Sequence, residues 1–389
     1  MASEKNSQKN KQPKSVVMIG HKSIPSRQGG IEVVVDRLSS GLVSRGFEVW
    51  AYNRRENAAS RKTQDPASAG GKDMYNGVHL VQIPAPEKSG WNAFVYACLA
   101  TIRSTVRGFD IYHFHAEGPC VMLWFTALFR RKSRIIVTIH GLDWQRAKWG
   151  RFASAIIRSG ERQAVKHADR IIVLSRNVQK YFKDTYDRDT VYVPNGTDEP
   201  GISSPGMITD RYGLKGNDYI LVVARIVPEK GIHYLMEAFR STVTDKKLVI
   251  AGGSGQADDY MDMIRNMAAD DDRIIMTGFA EGQLLSELYS NAYVYVCPSD
   301  VEGMSLSLLE AASYGNCCLV SDIPENTEVM DDHCVTFEHG NVKDLTDKLS
   351  ELLCSEDEIR RLKKSTREYI CEHHTWDIMT DQTVNIYRS

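Results

Sequence analysis

The stretch AYVYVCPSDVEGMSLSLLEAASYGNCCLVSD, residues 292–322, decides how the chain is read. A β-branched apolar run ends at CPS, a polar loop DVEGM follows, SLSLLEAASYG has helical character, and NCCLVSD is apolar again. Apolarity that is continuous rather than alternating marks strands buried on both faces of a parallel sheet, so the stretch reads as strand, loop, helix, strand. Two glutamates interrupt it. Glu302 falls in the loop at the strand's carboxyl end, and Glu310 falls about two turns into the helix. Burying a carboxylate without a partner is costly, so both need something to hold.

The same pattern recurs along the chain. SVVMIG, FEVWAY, VHLVQI, DIYHFH, RIIVTIH, RIIVLS and VYVPNG occupy the first half; YILVVARI, KLVIAGG and RIIMTGF join the two runs above in the second. Amphipathic segments such as 31–45 and 229–241 lie between them. Strand–helix alternation twice over predicts an α/β protein of two doubly wound, Rossmann-like domains. The Pro-, Gly- and Ser-rich stretch PNGTDEPGISSPGM, 194–207, reads as the boundary. The expected order is a disordered basic tail 1–14, an N-terminal domain 15–200, a C-terminal domain 201–375, and a closing helix 376–389 able to pack back on the first domain. Segment 56–73 is polar and glycine-containing and reads as a mobile loop. Ligands of open α/β sheets bind beyond the carboxyl ends of the strands, so two facing domains would place the site in a central cleft.

Composition excludes several classes. The 389 residues are 42% hydrophobic and 25% charged, which is globular. No stretch approaches the roughly 18–20 apolar residues that cross a bilayer. The longest apolar run, CVMLWFTALF at 120–129, is expected to be a core helix. The N-terminus lacks the apolar centre of a secretion signal. Eight cysteines without a CxxC pair argue for reduced thiols in a cytoplasmic protein, against a disulfide framework or a zinc site. Charge is uneven: residues 1–200 carry 31 Lys and Arg against 18 Asp and Glu, and residues 201–389 carry 17 against 32. A basic first half suits an anionic surface, with accidental composition as the alternative.

Several motifs could carry chemistry. Eight positions along a helix span roughly 12 Å, too far for a glycosidase carboxylate pair but suited to two grips on one elongated, hydroxyl-rich ligand. The alternative is a carboxylate at a helix N-terminus plus a structural ion pair. ARIVPEKG, 224–231, sets Arg225 and Lys230 at a strand's carboxyl end, where they suit a diphosphate or are two surface cations at a turn. PSRQGGIEVVV, 25–35, places Gly29 and Gly30 before a helix, as an anion site or a tight turn; it is not the GxGxxG of dinucleotide binders. His140 ends the strand in VTIHGLDWQRAKW and either meets a substrate hydroxyl or phosphate or is a satisfied core histidine. In YHFHAEGP, 112–119, His113 and His115 are expected to face away from one another and to bind no metal. The acidic AADDDR, 268–273, reads as a solvated turn. No Walker loop, GxSxG motif or aromatic-interleaved basic strip for single-stranded nucleic acid is found.

Gly29-Gly30, His140, Arg225 with Lys230, then Glu302 and Glu310, in that order, resemble the retaining glycosyltransferases of family 4, of GT-B fold. The likeness runs from about residue 15 to 385, and the two spaced glutamates with the upstream RxxxxKG are its specific part. The resemblance implies that Arg225 and Lys230 stabilise the donor diphosphate and that Glu310 holds the ribose hydroxyls. It implies that Glu302, with the amides of Gly303, Met304 and Ser305, grips the transferred sugar and its phosphate. His140 would lie near the sugar, Gly29-Gly30 near the diphosphate and acceptor, and the backbone of Gly278 and Phe279 near the base. No metal or other cofactor is implied.

HKSIPSRQGGIEVVVDRL and TIHGLDWQRAKW further resemble bacterial capsule and cell-wall glycosyltransferases of the rhamnosyltransferase type. That likeness implies a dTDP-rhamnose donor, a glycan or polyprenyl-diphosphate-linked acceptor, and a cytoplasmic enzyme docked on the inner face of the plasma membrane through its basic half. Arg130, Arg131, Lys132 and Arg134 are the expected contributors. Ser305 and Ser307 depart from relatives with a proline between the glutamates, which should loosen the turn. The rival readings are a GT-B nucleotide-sugar epimerase and a non-catalytic nucleotide-sugar-binding subunit of a transferase complex.

Overall fold

The computed structural model describes residues 14–27, 29–55, 73–86, 92–145, 150–253 and 259–389. The tail up to residue 13, residues 56–72 of the expected loop, and Arg146 to Trp149 lie outside the described residues. The chain forms two compact units. Met1–Val173, Tyr181–Val193 and Thr380–Ser389 make the first, and Leu174–Lys180 with Pro194–Met379 make the second.

The first unit is built on β1 (Ser15–Ile19), α1 (Gly30–Ser44), β2 (Glu48–Arg54), β3 (Met74–Tyr75), β4 (Val78–Ile83), α2 (Asn92–Arg107) and β5 (Ile111–His115). It continues with α3 (Leu123–Phe129), β6 (Arg134–Ile139), α4 (Arg151–His167), β7 (Arg170–Val173), the part of α5 (Arg176–Tyr186) from Tyr181 on, and β8 (Val191–Tyr192). The sheet order is β3-β4-β2-β1-β5-β6-β7-β8, parallel throughout except for β3 against β4. Val16 to Ile19 of β1 are wholly buried, as continuous apolarity predicts. The chain runs outward from β1 through β2 to β4 and then crosses through α2 to β5 on the other side of β1, so the crevice beyond β1 and β5 is the topological switch point.

The second unit comprises α6 (Met207–Tyr212), β9 (Tyr219–Val223), α7 (Ile232–Ser241), β10 (Lys247–Ala251), α8 (Asp259–Ala269), β11 (Ile274–Gly278) and α9 (Gly282–Asn291). After these come β12 (Val294–Cys297), α10 (Leu306–Ser313), β13 (Cys317–Ser321), α11 (Pro324–Met330), β14 (Val335–Phe337), α12 (Val342–Leu353) and α13 (Glu356–His373); α14 (Trp376–Arg388) starts in this unit and from Thr380 on belongs to the first. Its six strands lie in the order β11-β10-β9-β12-β13-β14, all parallel. Alternate residues of β9 enter two separate cores: Tyr219 and Leu221 one, Ile220 and Val222 the other. Period-two side-chain direction sends each pair to its own face, and helices cover both faces.

The end of α14 closes the first unit. Tyr387 is fully buried, its hydroxyl 2.6 Å from His113 Nδ1 and its ring edge-on to Phe47, and Arg45 Nε donates to Asp381 Oδ1 at 2.5 Å. One expectation fails. The apolar run 120–129 is not a core helix: Gly118–Met122 form a 3-10 turn, and on α3 only Leu123 and Thr126 are buried while Trp124, Leu128 and Phe129 are exposed. Length and apolarity alone could not tell a buried helix from one with an uncovered apolar face. Among the described residues no helix is long and apolar enough to cross a membrane.

Candidate functional site

In the second unit, loops at the carboxyl ends of β9 to β12 are laced together by backbone. Ala224 N donates to Ala251 O at 3.1 Å, Gly252 N to Gly278 O at 2.8 Å, and Asp300 N to Glu229 O at 3.0 Å. Glycine makes the approach possible. Gly231 has φ +62°, and a Cβ there would lie 1.9 Å from Pro298 O; Gly252, at φ +143°, would meet Ala224 O at 1.8 Å. An L side chain at either position would strain the backbone and force the loops apart.

This lacing brings Lys230 of the β9–α7 loop onto Glu302 of the β12–α10 loop. The two form an ion pair, with side chains 15% and 7% exposed, and Ser299 Oγ also donates to Glu302 Oε1 at 2.8 Å. So Glu302 is a buried carboxylate with a cation and a hydroxyl, which satisfies the cost of its burial. Arg225 lies exposed just beyond β9, with no ion pair among the described residues. Gly278 ends β11 at φ +70°, and Phe279 beside it is 56% exposed.

Glu310 sits in the second turn of α10, half-buried, and accepts from the buried Tyr289 hydroxyl at 3.2 Å. The helix starts at a built cap: Ser305 Oγ accepts from Leu308 N at 3.3 Å. Ser307 Oγ lies 3.1 Å from the Tyr295 hydroxyl and 3.2 Å from Ser305 Oγ. The serines therefore tie the turn rather than loosen it, because the Ser305 hydroxyl at the N-cap satisfies the amide of Leu308, one of the donors that a helix start leaves open. Gly303, Met304 and Ser305 are buried, and Met304 Sδ accepts from Asn195 N at 3.0 Å. The AADDDR stretch is a turn, as expected, in which Asp271 pairs with Arg273 at 2.8 Å.

In the first unit Gly29 is the N-cap of α1, in extended conformation, and Gly30 begins the helix. A Cβ on Gly29 would lie 2.1 Å from Glu32 Oε2, and Glu32 Oε1 accepts from Lys22 N at 2.9 Å. The helix's own carboxylate thus folds back over its N-terminus. His140, just beyond β6, is 9% exposed, and its Nε2 lies 3.1 Å from His115 Nδ1. His113 and His115 do not face apart: their rings stack at 4.3 Å, since residues two apart on a strand share a face. His113 also meets Thr138 Oγ1 at 2.7 Å. Burial, with neighbouring imidazoles second, drives His113 down to about 3 and His115 well below the ordinary histidine value. These rings are neutral near pH 7.

Beside them Glu117 is fully buried, Oε1 accepting from Asp143 N at 3.1 Å and Oε2 without a partner. Burial first, then Asp143, raises its carboxyl well above the usual range. Sequence reasoning missed His115 and Glu117 as neighbours of His140. Their signal was present in YHFHAEGP, at the end of a strand expected beside that of His140, but it was read only for metal spacing. Among the described residues no group of three or more His, Cys, Asp or Glu is placed to hold a metal.

Residues 28–199 match the family described as Glycosyltransferase Family 4, and residues 209–369 match Glycosyl transferases group 1. With these two matches and two parallel-sheet Rossmann-like units, the chain is a glycosyltransferase of the GT-B class. A GDP-mannose-dependent alpha-(1-6)-phosphatidylinositol monomannoside mannosyltransferase of Mycolicibacterium smegmatis is 24% identical over 312 residues, 75% of this chain and 76% of that protein. Two solved structures share the fold at low identity. Sucrose-phosphate synthase from Thermosynechococcus elongatus has TM-score 0.81 and 18% identity, covering 96% of this chain and 98% of that one. HepE of Anabaena, solved with UDP and glucose, has TM-score 0.78 and 13% identity, covering 96% and 99%.

Proposed function

We propose that the protein is a retaining, metal-independent glycosyltransferase. It moves a sugar from a nucleotide-sugar donor, dTDP-rhamnose being our assignment, to a glycan or polyprenyl-diphosphate-linked acceptor in bacterial surface polysaccharide synthesis. The observation that carries this is the Lys230–Glu302 pair, nearly buried at the carboxyl ends of β9 and β12 with Arg225 beside the same strand. A cation kept next to a carboxylate is poised to exchange partners. The donor diphosphate takes Lys230 and Arg225, and Glu302 turns to the hydroxyls of the transferred sugar. Glu310, already accepting from one hydroxyl, takes the ribose. Gly278 and Phe279 meet the base, the Gly303–Ser305 amides and the Gly29-Gly30 turn meet phosphate, and His140 meets the sugar.

In the reaction the sugar C1–O bond to the diphosphate breaks as charge develops on the leaving oxygen. Preorganised cations and amides stabilise that charge. The leaving oxygen takes the proton of the acceptor hydroxyl, which attacks C1 from the same face, so configuration is retained. The relative named for GDP-mannose and the neighbour holding UDP and glucose differ in base, so the family fold alone does not select the nucleotide.

Lys230→Ala should lower turnover a hundredfold or more, since one such charged contact contributes on the order of 3–4 kcal/mol in the transition state. A near-normal rate removes Lys230 from the mechanism. A thermal-shift screen of dTDP-, UDP-, GDP- and ADP-sugars tests the donor, and proton NMR of the product tests retention. EDTA should leave the rate unchanged. Stabilisation by another nucleotide alone overturns the dTDP assignment, and an inverted anomer overturns retention.

A further inference from the structure

Glu302 lies in an irregular loop, yet its carboxylate is held in one place. Ser299 Oγ donates to Glu302 Oε1 at 2.8 Å, and that serine is itself held. Ser321, the last residue of β13, donates through Oγ to the Ser299 carbonyl at 2.6 Å. Asn326 of α11 donates in turn through Nδ2 to Ser321 Oγ at 3.0 Å and to the Ser321 carbonyl at 3.3 Å. Cys297 Sγ, at the end of β12, lies 3.9 Å from Asn326 Oδ1 and 3.7 Å from Ser299 Oγ. Asn326 and Ser321 are wholly buried and Ser299 nearly so. The chain of hydrogen bonds thus runs from α11 across the ends of β13 and β12 to the carboxylate. Next to Ser299, Asp300 N donates to Glu229 O at 3.0 Å, so the loop backbone is pinned as well.

Stability does not call for this chain. Buried hydrogen-bonded pairs contribute little more than apolar groups of the same shape, but they admit one geometry. A glutamate side chain is long and rotates freely, and an irregular loop gives it little support. Such a carboxylate can read the positions of hydroxyls only if groups behind it lock its rotamer. Lys230 cannot do so throughout, because the donor diphosphate is its other partner in the proposed reaction. We propose that Ser299, held by Ser321 and Asn326, is a positioning residue. It is the pivot on which Glu302 turns from Lys230 to the transferred sugar, and it thereby sets sugar selectivity. The proposal rests on the reading of Glu302 as the carboxylate that grips the sugar. It adds that the choice of sugar is set behind Glu302, on β13 and α11.

Calorimetric titration of the full chain with pairs of sugars on one nucleotide tests it. The pairs are dTDP-rhamnose and dTDP-glucose, UDP-glucose and UDP-galactose, GDP-mannose and GDP-glucose, and ADP-glucose and ADP-mannose. Within a pair the free protein and the diphosphate contacts are common, so the ratio of affinities isolates the grip on the sugar. The wild type should discriminate within the pair on the nucleotide that it binds. Ser299→Ala and Ser321→Ala should each move that ratio toward one, by on the order of tenfold. A merely structural loss weakens both members together and leaves the ratio as it was. Ser299→Ala carries the test if Ser321→Ala does not fold, because Lys230 still holds Glu302 in the free protein. A ratio kept in Ser299→Ala but collapsed in Glu302→Gln overturns the positioning role and leaves the reading of Glu302 standing. A ratio that survives Glu302→Gln overturns both, as does a wild type that discriminates within none of the pairs.

Discussion

Glu117 shows how one residue sets a pH dependence. Its carboxyl is fully buried with one oxygen unpartnered, and its folded pKa lies well above the ordinary 4.5. A raised acid stabilises the fold below its unfolded pKa, and that contribution is lost as pH rises through the folded value. Near neutral pH Glu117 is therefore a burden. Glu117→Gln keeps an acceptor for Asp143 N, so it should raise the melting temperature at pH 7.5, with the gain shrinking toward pH 4.5; a loss at pH 7.5 would show that the charge is needed. The histidines act oppositely. His113 and His374 are held at about 3 and about 4, both mainly by burial, against an ordinary 6.5. Depressed bases contribute stability that is full above about 6.5 and lost as pH falls toward 4 and then 3. With His21 and His115 lowered as well, the histidine contribution should dominate, and the denaturant midpoint should drop between pH 7 and pH 5. A flat profile would mean these rings are not held neutral.

At the scale of elements, glycine decides two contacts that the strand–helix pattern does not reveal. Gly160 of α4 lies against the 3-10 turn after β5, where a Cβ would sit 2.0 Å from Glu117 O. Gly160→Ala should destabilise by roughly 1–3 kcal/mol, as overpacking does, although alanine is the better helix former. Chemical denaturation measures it, and a stabilised variant would show that α4 shifts freely. Gly231 plays the same part between the β9 and β12 loops, so it positions Lys230. Strand identity, parallel pairing and the loop–helix placement of Glu302 and Glu310 were legible because buried strands read as continuous apolar runs. The covering of α2 and α3 was not legible. A run such as CVMLWFTALF has the same composition whether it is packed in a core or left exposed on one face.

For the whole molecule, the chain returns to its first unit at the end. Thr380–Ser389 belong to that unit, and Tyr387 closes on His113 there. Truncation after Met379 should therefore leave His113 Nδ1 buried without its partner and remove buried Val384 and Ile386. A buried polar group left unpaired costs roughly 1–3 kcal/mol before the lost apolar burial is added. Calorimetry should show the first unit melting earlier, while the transition of the second unit stays where it is in the full chain. Unchanged melting would make the terminal segment dispensable.

The sequence by itself determined two doubly wound α/β units, the loop and helix positions of the two glutamates, and the cations after β9. These follow from local periodicity and from the rule that ligands meet strand carboxyl ends. Only the tertiary structure decided that Lys230 pairs with Glu302. It alone showed that Ser305 caps α10, that His113, His115 and His140 form one buried ring cluster, and that α2 and α3 turn their large apolar residues outward. Each depends on contacts between residues distant in sequence, and burial, not residue type, fixes whether a charge is paired, a ring neutral or an apolar face covered.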